Sequence, residues 1–199
     1  MPTPDPKRSF RFCPACNEEV YTYTVRADLG PEVRCSSCGL PLAAASAPAP
    51  AQLSCILVAD DDRLYRTLLR DLLQGRGMAA TVEACAGGAE LLARATARFH
   101  DQLPVKLVIL DLIMAPLNGA ATGIAFRALE KGLGVSPPVP ILFVSGSPVD
   151  DAMKALLAKC APALFLHKGA DKSPEALGRR LEQVMAILLK AAGRGGENG

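Results

Sequence analysis

The stretch Ile56–Asp62, ILVADDD, places four apolar residues directly before three consecutive aspartates. The apolar run has the length of a buried strand, and the aspartates follow where that strand would end. Carboxylates this close repel one another, so a metal ion, a lysine or solvent must compensate their charge. The stretch therefore predicts a buried strand with an acidic site at its carboxyl end.

The chain after residue 52 alternates short apolar runs with segments of helical length. Leu64, Leu68 and Leu72 recur at helical spacing, and three of the apolar runs are nearly continuous, as in strands buried on both faces. This pattern predicts an α/β fold, a five-stranded doubly wound parallel sheet with helices on each side. The expected strands are CILVA, ATVEAC, VKLVIL, VPILFVS and ALFLH, and the expected helices are 63–74, 89–99, 120–132, 149–160 and 174–192.

Composition limits the function classes. Half of the 199 residues are apolar, and 22 basic residues against 20 acidic ones give a net charge of +2. A chain of this size can bury a substantial core, and its balanced charge offers no argument for a nucleic-acid partner. The first residues lack a signal-peptide core, and every apolar run is too short to cross a bilayer. We expect a cytoplasmic protein without membrane insertion.

An uncharged Ala/Pro-rich stretch divides the chain. Residues 41–52, PLAAASAPAPAQ, are typical of a semi-extended tether. We predict three parts: a small β domain at 8–42, a linker at 43–52 and the α/β domain at 53–192.

The first part carries two CxxC pairs, Cys13/Cys16 and Cys35/Cys38, separated by eighteen residues. This spacing fits a four-thiolate tetrahedral Zn²⁺ site, and Gly39 follows the second pair in a turn. Between the pairs, VYTYTV alternates as a strand does and LGPE supplies a turn. The segment resembles a zinc ribbon, whose closed metal site stabilises the fold; a redox pair is the alternative. The other cysteines, Cys55, Cys85 and Cys160, are expected to be buried hydrophobic residues.

Reactive side chains follow four of the predicted strands. In doubly wound sheets the carboxyl ends of the strands form the ligand site, so these side chains should converge. Three carboxylates at one edge favour a small cation with oxygen ligands such as Mg²⁺. The converging residues are Asp60, Asp61, Asp111, Ser145 and Lys168.

These residues, in this order and spacing, resemble the receiver domain of bacterial response regulators over residues 53–191. The resemblance implies the strand order 2-1-3-4-5 and assigns Asp111 as phosphoacceptor. Asp60, Asp61, Asp111 and the backbone carbonyl of Ile113 would hold Mg²⁺, while Ser145 and Lys168 would contact the phosphoryl group. Gly119 matches the family's turn glycine, and Phe165 stands where the family has its aromatic switch residue, paired functionally with Ser145.

Two positions depart from the family pattern. The family usually has proline four residues after the phosphoacceptor, where this chain has Ala115 followed by Pro116. The family's Lys-Pro pair, whose bond is commonly cis, is here Lys168 followed by Gly169. A cis bond without proline costs about 2.5–4 kcal/mol, but the sequence alone leaves the isomer of this bond open.

The resemblance implies two-component signal transduction. Asp111 would receive a phosphoryl group from a sensor histidine kinase or phosphotransfer protein, and the output would pass through protein contacts of the receiver or the ribbon to a downstream protein. The protein would not be an enzyme beyond self-catalysed gain and loss of this group. The alternatives are a pseudo-receiver adaptor that is not phosphorylated and a zinc-ribbon DNA-binding regulator. An aspartyl phosphatase is disfavoured because Ile113 stands where such hydrolases place a second Asp.

The ribbon is expected to bind protein rather than nucleic acid. Residues 1–46 contain five basic and five acidic residues, and Zn²⁺ with four thiolates adds two negative charges. Tyr21 and Tyr23 share a face of the predicted strand and either contact a protein partner or form the ribbon's own small core. The ribbon is also expected to fold independently of the α/β domain.

Overall fold

The computed structural model describes residues 9–27, 30–42, 52–169 and 173–194. Its strands form two sheets, one before and one after the Ala/Pro-rich stretch. The predicted linker 43–52 lies outside the described residues except for Gln52. Within the described residues no helix is both long and apolar enough to cross a membrane.

The amino-terminal sheet is antiparallel and has three strands in the order β1-β2-β3. These are β1 (Phe10–Cys13), β2 (Glu18–Ala27) and β3 (Gly30–Cys35). The sequence predicted only the middle strand. The LGPE turn was predicted wrongly in part, because Gly30, Pro31 and Glu32 already pair with Ala27, Arg26 and Val25. We refer to residues 9–42 as the ribbon.

The larger sheet is parallel, has the order β5-β4-β6-β7-β8 and confirms the predicted 2-1-3-4-5 arrangement. The predicted α/β fold class is therefore confirmed, with helix ends within two residues of the expected positions. The strands are β4 (Leu53–Ala59), β5 (Ala79–Cys85), β6 (Leu107–Asp111), β7 (Ile141–Ser145) and β8 (Ala163–His167). The helices are α1 (Arg63–Gly75), α2 (Gly88–His100), α3 (Gly119–Leu133), α4 (Asp151–Lys159) and α5 (Pro174–Arg194).

Burial explains why the apolar runs form central strands. All five residues of β6 and of β7 are buried, as expected for strands covered on both faces. Their last residues, Asp111 and Ser145, therefore project from the end of a fixed scaffold. Asp62 caps the start of α1, because its carboxylate accepts hydrogen bonds from the amides of Leu64 and Tyr65.

The ribbon packs against the larger sheet at its β8 edge. A cleft between the two is lined on the ribbon side by Tyr23 and Arg34 and on the other side by Lys154, Leu157 and Leu164. Buried ribbon side chains join the same apolar core as the sheet. The ribbon buries some of its side chains against the α/β domain. Its independent folding stays a prediction.

Gly119 marks the closest approach of a helix to the acidic strand end. A Cβ atom at this position would lie 2.0 Å from the backbone oxygen of Asp111, so only glycine allows α3 to start there. The amide of Gly119 also donates to the carbonyl of Leu112 at 3.0 Å. Gly119 therefore fixes the loop that follows the predicted phosphoacceptor.

We expect Gly119→Ala to destabilise the protein by about 1–3 kcal/mol or more, because the added methyl group overpacks against backbone. Gly132→Ala in the same helix is the matched control. It meets no atom within 4 Å and should be neutral or stabilising by up to about 1 kcal/mol. Urea unfolding of both variants measures the difference, and equal free energies of unfolding would contradict the close approach.

Candidate functional site

Three carboxylates meet at the carboxyl ends of β4 and β6. One oxygen each of Asp60, Asp61 and Asp111 lies within 4.8 Å of the others. Asp60 and Asp111 are buried, at 1% and 5% exposure, whereas Asp61 is exposed. The structure thus brings together the three side chains that the sequence predicted as one acidic site, with one carboxylate open to solvent.

Lys168 supplies the positive charge that this acidic site requires. Its Nζ lies 2.9 Å from Oδ2 of Asp60 and 2.9 Å from Oδ2 of Asp111. Asp60 directly follows β4, and Asp111 is the last residue of the neighbouring strand β6, while Lys168 comes from beyond β8 at the sheet edge. The lysine therefore reaches across the strand ends to join both buried carboxylates.

Burial and charge pairing act against each other in this cluster. Burial raises the pKa of Asp60 above its ordinary value, although the hydrogen bond and charge of Lys168 act to lower it. Burial also acts to lower the pKa of Lys168, but its hydrogen bonds to Asp60 and Asp111 outweigh this effect and raise it. The lysine is thus held in its charged form between the two buried carboxylates.

Ser145 and Phe165 are both buried on the strands next to the acidic site. Ser145 ends β7 at 1% exposure, and its hydroxyl oxygen accepts a hydrogen bond from the amide of Ser147 at 3.0 Å. Phe165 is 2% exposed, so its ring lies in the buried position. The inward rotation that the family resemblance implies for Phe165 stays a prediction.

The departure at Ala115 has a local function in this structure. The amide of Ala115 donates to Oδ2 of Asp61 at 3.3 Å, and a proline at the same position could not make this bond. Nearby, the amide of Ile113 faces Oδ1 of Asp111 at 3.4 Å, and its side chain is exposed. The loop after β6 therefore orients two of the three carboxylates through backbone groups.

The departure at Gly169 is explained by backbone shape and space. Gly169 has φ +81°, a value that proline cannot adopt and that other side chains disfavour. A Cβ atom there would lie 3.0 Å from a guanidinium nitrogen of Arg180 and 3.0 Å from the side-chain nitrogen Nδ2 of Asn17. Every cis peptide bond among the described residues precedes a proline, so the Lys168–Gly169 peptide is trans. The ribbon and α5 thus occupy the space that a larger residue would need.

Tyr65 contributes to the pocket without a signal in the sequence. The Nζ of Lys168 lies 4.3 Å from the centre of the Tyr65 ring, a distance at which the ring attracts the cation. Burial raises the pKa of Tyr65 well above its ordinary value, and its hydroxyl has no hydrogen-bond partner among the described residues. Its α1 position repeats the apolar period of that helix, so sequence patterning assigns it only to the core.

His167 also contributes to the pocket through the hydrogen bonds of its ring. Its Nδ1 accepts from the amide of Gly169 at 2.9 Å, so its Nε2 carries the proton that is donated to the carbonyl of Gly146 at 2.9 Å. The amide of Lys168 donates to the carbonyl of Ser145 at 2.7 Å. His167 thereby links the two loops that present Ser145 and Lys168.

The four ribbon cysteines form a second cluster. Their sulfur atoms all lie within 4.8 Å of one another, with Cys13 and Cys38 at 3.7 Å and Cys16 and Cys35 at 3.8 Å. A tetrahedral Zn²⁺ site with Zn–S bonds of about 2.3 Å requires sulfur separations of about 3.8 Å. These separations are far longer than the disulfide bond length of about 2.05 Å, so the cluster fits a metal better than a disulfide.

Backbone geometry repeats in the two CxxC turns. The amide of Cys16 faces the sulfur of Cys13 at 3.5 Å, and that of Cys38 faces the sulfur of Cys35 at 3.4 Å. The residue after each pair, Asn17 or Gly39, has positive φ. Amides directed at sulfur stabilise thiolates, which supports the donor set required by zinc. We call the turn Cys13–Asn17 the first knuckle.

The exposed face of the ribbon carries four aromatic side chains. Tyr21 and Tyr23 are 48% and 44% exposed, so they do not form the ribbon's core, which was one of the two expected roles. Phe10 and Phe12, which the sequence analysis missed, are 55% and 53% exposed. The pairing of Phe10 with Tyr21 places these side chains on one face, with the two ring centres 4.1 Å apart.

Comparison with known proteins assigns the α/β domain. The response regulator receiver domain model matches residues 56–175. The transcriptional regulatory protein ZraR of Salmonella typhimurium is 33% identical over 127 residues, which cover 63% of this chain and 26% of that protein. The match thus spans about a quarter of that curated relative. The chain belongs to the response regulator receiver family, whose relatives include two-component proteins.

Solved structures show the same fold at lower identity. The receiver domain of the Arabidopsis thaliana histidine kinase CKI1, complexed with Mg²⁺ and BeF₃⁻, is 23% identical with a TM-score of 0.54 and covers 68% of this chain and 92% of that chain. Vibrio cholerae CheY4 is 22% identical with a TM-score of 0.50, covering 66% of this chain and 98% of that chain. These likenesses support the fold and not a particular partner.

We expect one Zn²⁺ per chain in native mass spectrometry, because the sulfur separations match a closed tetrahedral site. Cys16→Ser should lose the ion at chelator concentrations that leave it on the unaltered chain. Cys55→Ala is the control, since Cys55 is buried in β4 away from the cluster. Equal zinc retention in the two variants would contradict the site.

We expect Mg²⁺ affinity to fall on acidification at a higher pH than for an ordinary aspartate site. The ion binds ionised carboxylates, and burial raises the pKa of Asp60, so affinity is full above that raised pKa and is lost as the pH falls through it. Calorimetric titration over a pH series measures the midpoint. In Asp60→Asn the midpoint should move to lower pH, and an unchanged midpoint would show that Asp60 is not the group involved.

Proposed function

We propose that this protein accepts a phosphoryl group on Asp111 in a two-component system. The observation that supports this proposal most strongly is the contact of Lys168 with both Asp60 and Asp111, each at 2.9 Å. The exposed carboxylate of Asp61 lies beside this pair. A half-buried lysine in this position can neutralise a phosphoryl oxygen as readily as a carboxylate. Membership of the receiver family supports the same assignment.

Asp111 acts as the nucleophile. One of its carboxylate oxygens attacks the phosphorus of a phosphohistidine in line; the O–P bond forms as the P–N bond breaks. The electron pair of the broken bond returns to the imidazole, which takes up a proton from water. The contribution of the protein is positioning and charge neutralisation, so no separate general acid is required.

Mg²⁺, when bound, would neutralise charge on the transferred group. Asp61 is the exposed carboxylate and is proposed as a direct ligand, together with Asp111 and the carbonyl of Ile113. Asp60 is proposed to act through water, because it is buried and already bound to Lys168. One oxygen of each of the three carboxylates lies within 4.8 Å of the others, so a single Mg²⁺ ion could be held by Asp61 and Asp111 directly and by Asp60 through water.

Lys168 and Ser145 bind the phosphoryl oxygens in this proposal. Lys168 exchanges its contact with Asp111 for one with the phosphoryl group, and the Ser145 hydroxyl donates a hydrogen bond to another oxygen. Ser145 pairs in register with His167, and Phe165 lies two positions before His167 on β8. The movement of Ser145 would then be transmitted along β8 to Phe165. This is the proposed start of the switch.

We propose that the four thiolates of the ribbon hold Zn²⁺ as a structural ion and that the ribbon's aromatic face contacts a downstream protein. Four exposed aromatic side chains on one small sheet are typical of a protein interface. The described ribbon residues carry scattered rather than clustered basic side chains, which disfavours nucleic acid as the partner. The donor and the recipient of the signal are thus both proteins.

We expect acetyl phosphate with Mg²⁺ to give one hydroxylamine-labile phosphoryl adduct per chain in intact mass spectra. Asp111→Asn should abolish the adduct, because an amide cannot serve as the nucleophile. Asp62→Asn is the matched control, since asparagine caps a helix as well as aspartate and Asp62 caps α1. Labelling of Asp111→Asn to the wild-type extent would refute the assignment, and absence of labelling in the unaltered chain would favour the adaptor alternative.

A further inference from the structure

The first knuckle makes backbone contacts with the strand that leads to Lys168. The amide of His167 donates to the carbonyl of Ala15 at 2.6 Å, across the outer edge of β8. Ala15 lies between two zinc-ligand positions, Cys13 and Cys16, and has no exposed surface. The knuckle therefore continues the hydrogen bonding of the large sheet at the one strand end that presents the lysine.

Arg180 of α5 forms hydrogen bonds with both the first knuckle and the end of β8. It is 5% exposed, and its Nε donates to the carbonyl of Pro14 at 2.8 Å. Its Nη2 donates to the carbonyl of His167 at 2.5 Å and lies 3.4 Å from that of Ala15. A planar guanidinium carries five N–H donors in fixed directions and can bind several carbonyls at once, whereas a lysine ammonium lacks this fixed arrangement. Arg180 thus fixes the knuckle and the β8 end in one arrangement.

Lys168 has little freedom under these constraints. The residue before it is held by Ala15 and Arg180, and Gly169 after it packs against Arg180 and Asn17. Its own amide is bound to Ser145, and its Nζ spans Asp60 and Asp111. The backbone that aims Lys168 into the acidic pocket is therefore supported on one side by the ribbon.

We propose that the first knuckle is a positioning element of the phosphoryl pocket, with Arg180 as the positioning residue that transmits the metal state of the cysteines to Lys168. The knuckle keeps its shape only while its thiols are held together, so loss of the ion releases Pro14 and Ala15 from Arg180 and His167. Lys168 then moves relative to Asp60 and Asp111. Zinc loading sets the competence of Asp111 for phosphorylation.

This inference rests on the proposed function only where it concerns the rate at which Asp111 is phosphorylated. The structural coupling can be measured without phosphorylation, as amide hydrogen exchange of residues 163–169 in the zinc-loaded chain and in the chain treated with a chelator. Exchange in this segment should accelerate at least about tenfold after zinc removal, because its amide contact with Ala15 is lost. Exchange in β6 should stay unchanged.

The kinetic test compares Arg180→Lys with Arg179→Lys, its exposed neighbour in the same helix. With zinc bound and acetyl phosphate as donor, Arg180→Lys should label Asp111 at least about tenfold more slowly, since misplacing a binding group by about an ångström can cost about a hundredfold. Arg179→Lys should label at the wild-type rate. Circular dichroism confirms that both variants are folded.

Comparing the unaltered chain and Arg180→Lys, each with and without zinc, separates coupling through Arg180 from a general loss of structure. If Arg180 transmits the metal state, zinc removal slows labelling of the unaltered chain strongly and slows Arg180→Lys little further. Equal slowing of both chains by zinc removal, or unchanged exchange in residues 163–169, would overturn the proposal. Should the unaltered chain not label at all, the proposed function fails, and the exchange experiment still decides the coupling.

Discussion

The double ion pair of Lys168 with the buried carboxylates of Asp60 and Asp111 is the interaction on which the pocket depends. Asp60 and Asp111 end neighbouring strands with little access to water, and two such carboxylates repel each other unless a cation lies between them. The sheet order brings the lysine from beyond the edge strand, so the chemistry of the site requires the whole sheet to be assembled. Gly119, Ala115 and Tyr65 then shape the surroundings of this ion cluster.

Much of this arrangement follows from the order of residues along the chain. Continuous apolar runs identify β4, β6 and β7 as central strands, and the parallel sheet brings together whatever polar residues follow them. The positions of Asp60, Asp111, Ser145 and Lys168 could therefore be predicted from the sequence. The two CxxC pairs were equally informative, because thiolate ligands to zinc have a restricted spacing.

Other residues gave no such signal. Arg180 lies in a long helix where an arginine is ordinary, and its carbonyl partner in Ala15 is 165 positions away. His167 and Tyr65 belong to regular elements whose periodicity accounts for them without any functional role. The exposed aromatic face could be predicted only in part. The alternation of the strand placed Tyr21 and Tyr23 on one face, but only the pairing of β1 with β2 shows that Phe10 and Phe12 share it. Contacts between distant segments of the chain were beyond sequence patterning.

The cleft between the ribbon and α4 has a consequence for recognition. Tyr23 and Arg34 from the ribbon line the same surface as Lys154 and Leu157 from the α/β domain. A protein that approaches this side meets side chains from both modules at once, so its affinity depends on their relative placement as well as on their chemistry. A substitution on either side of the cleft therefore alters the surface that such a protein meets.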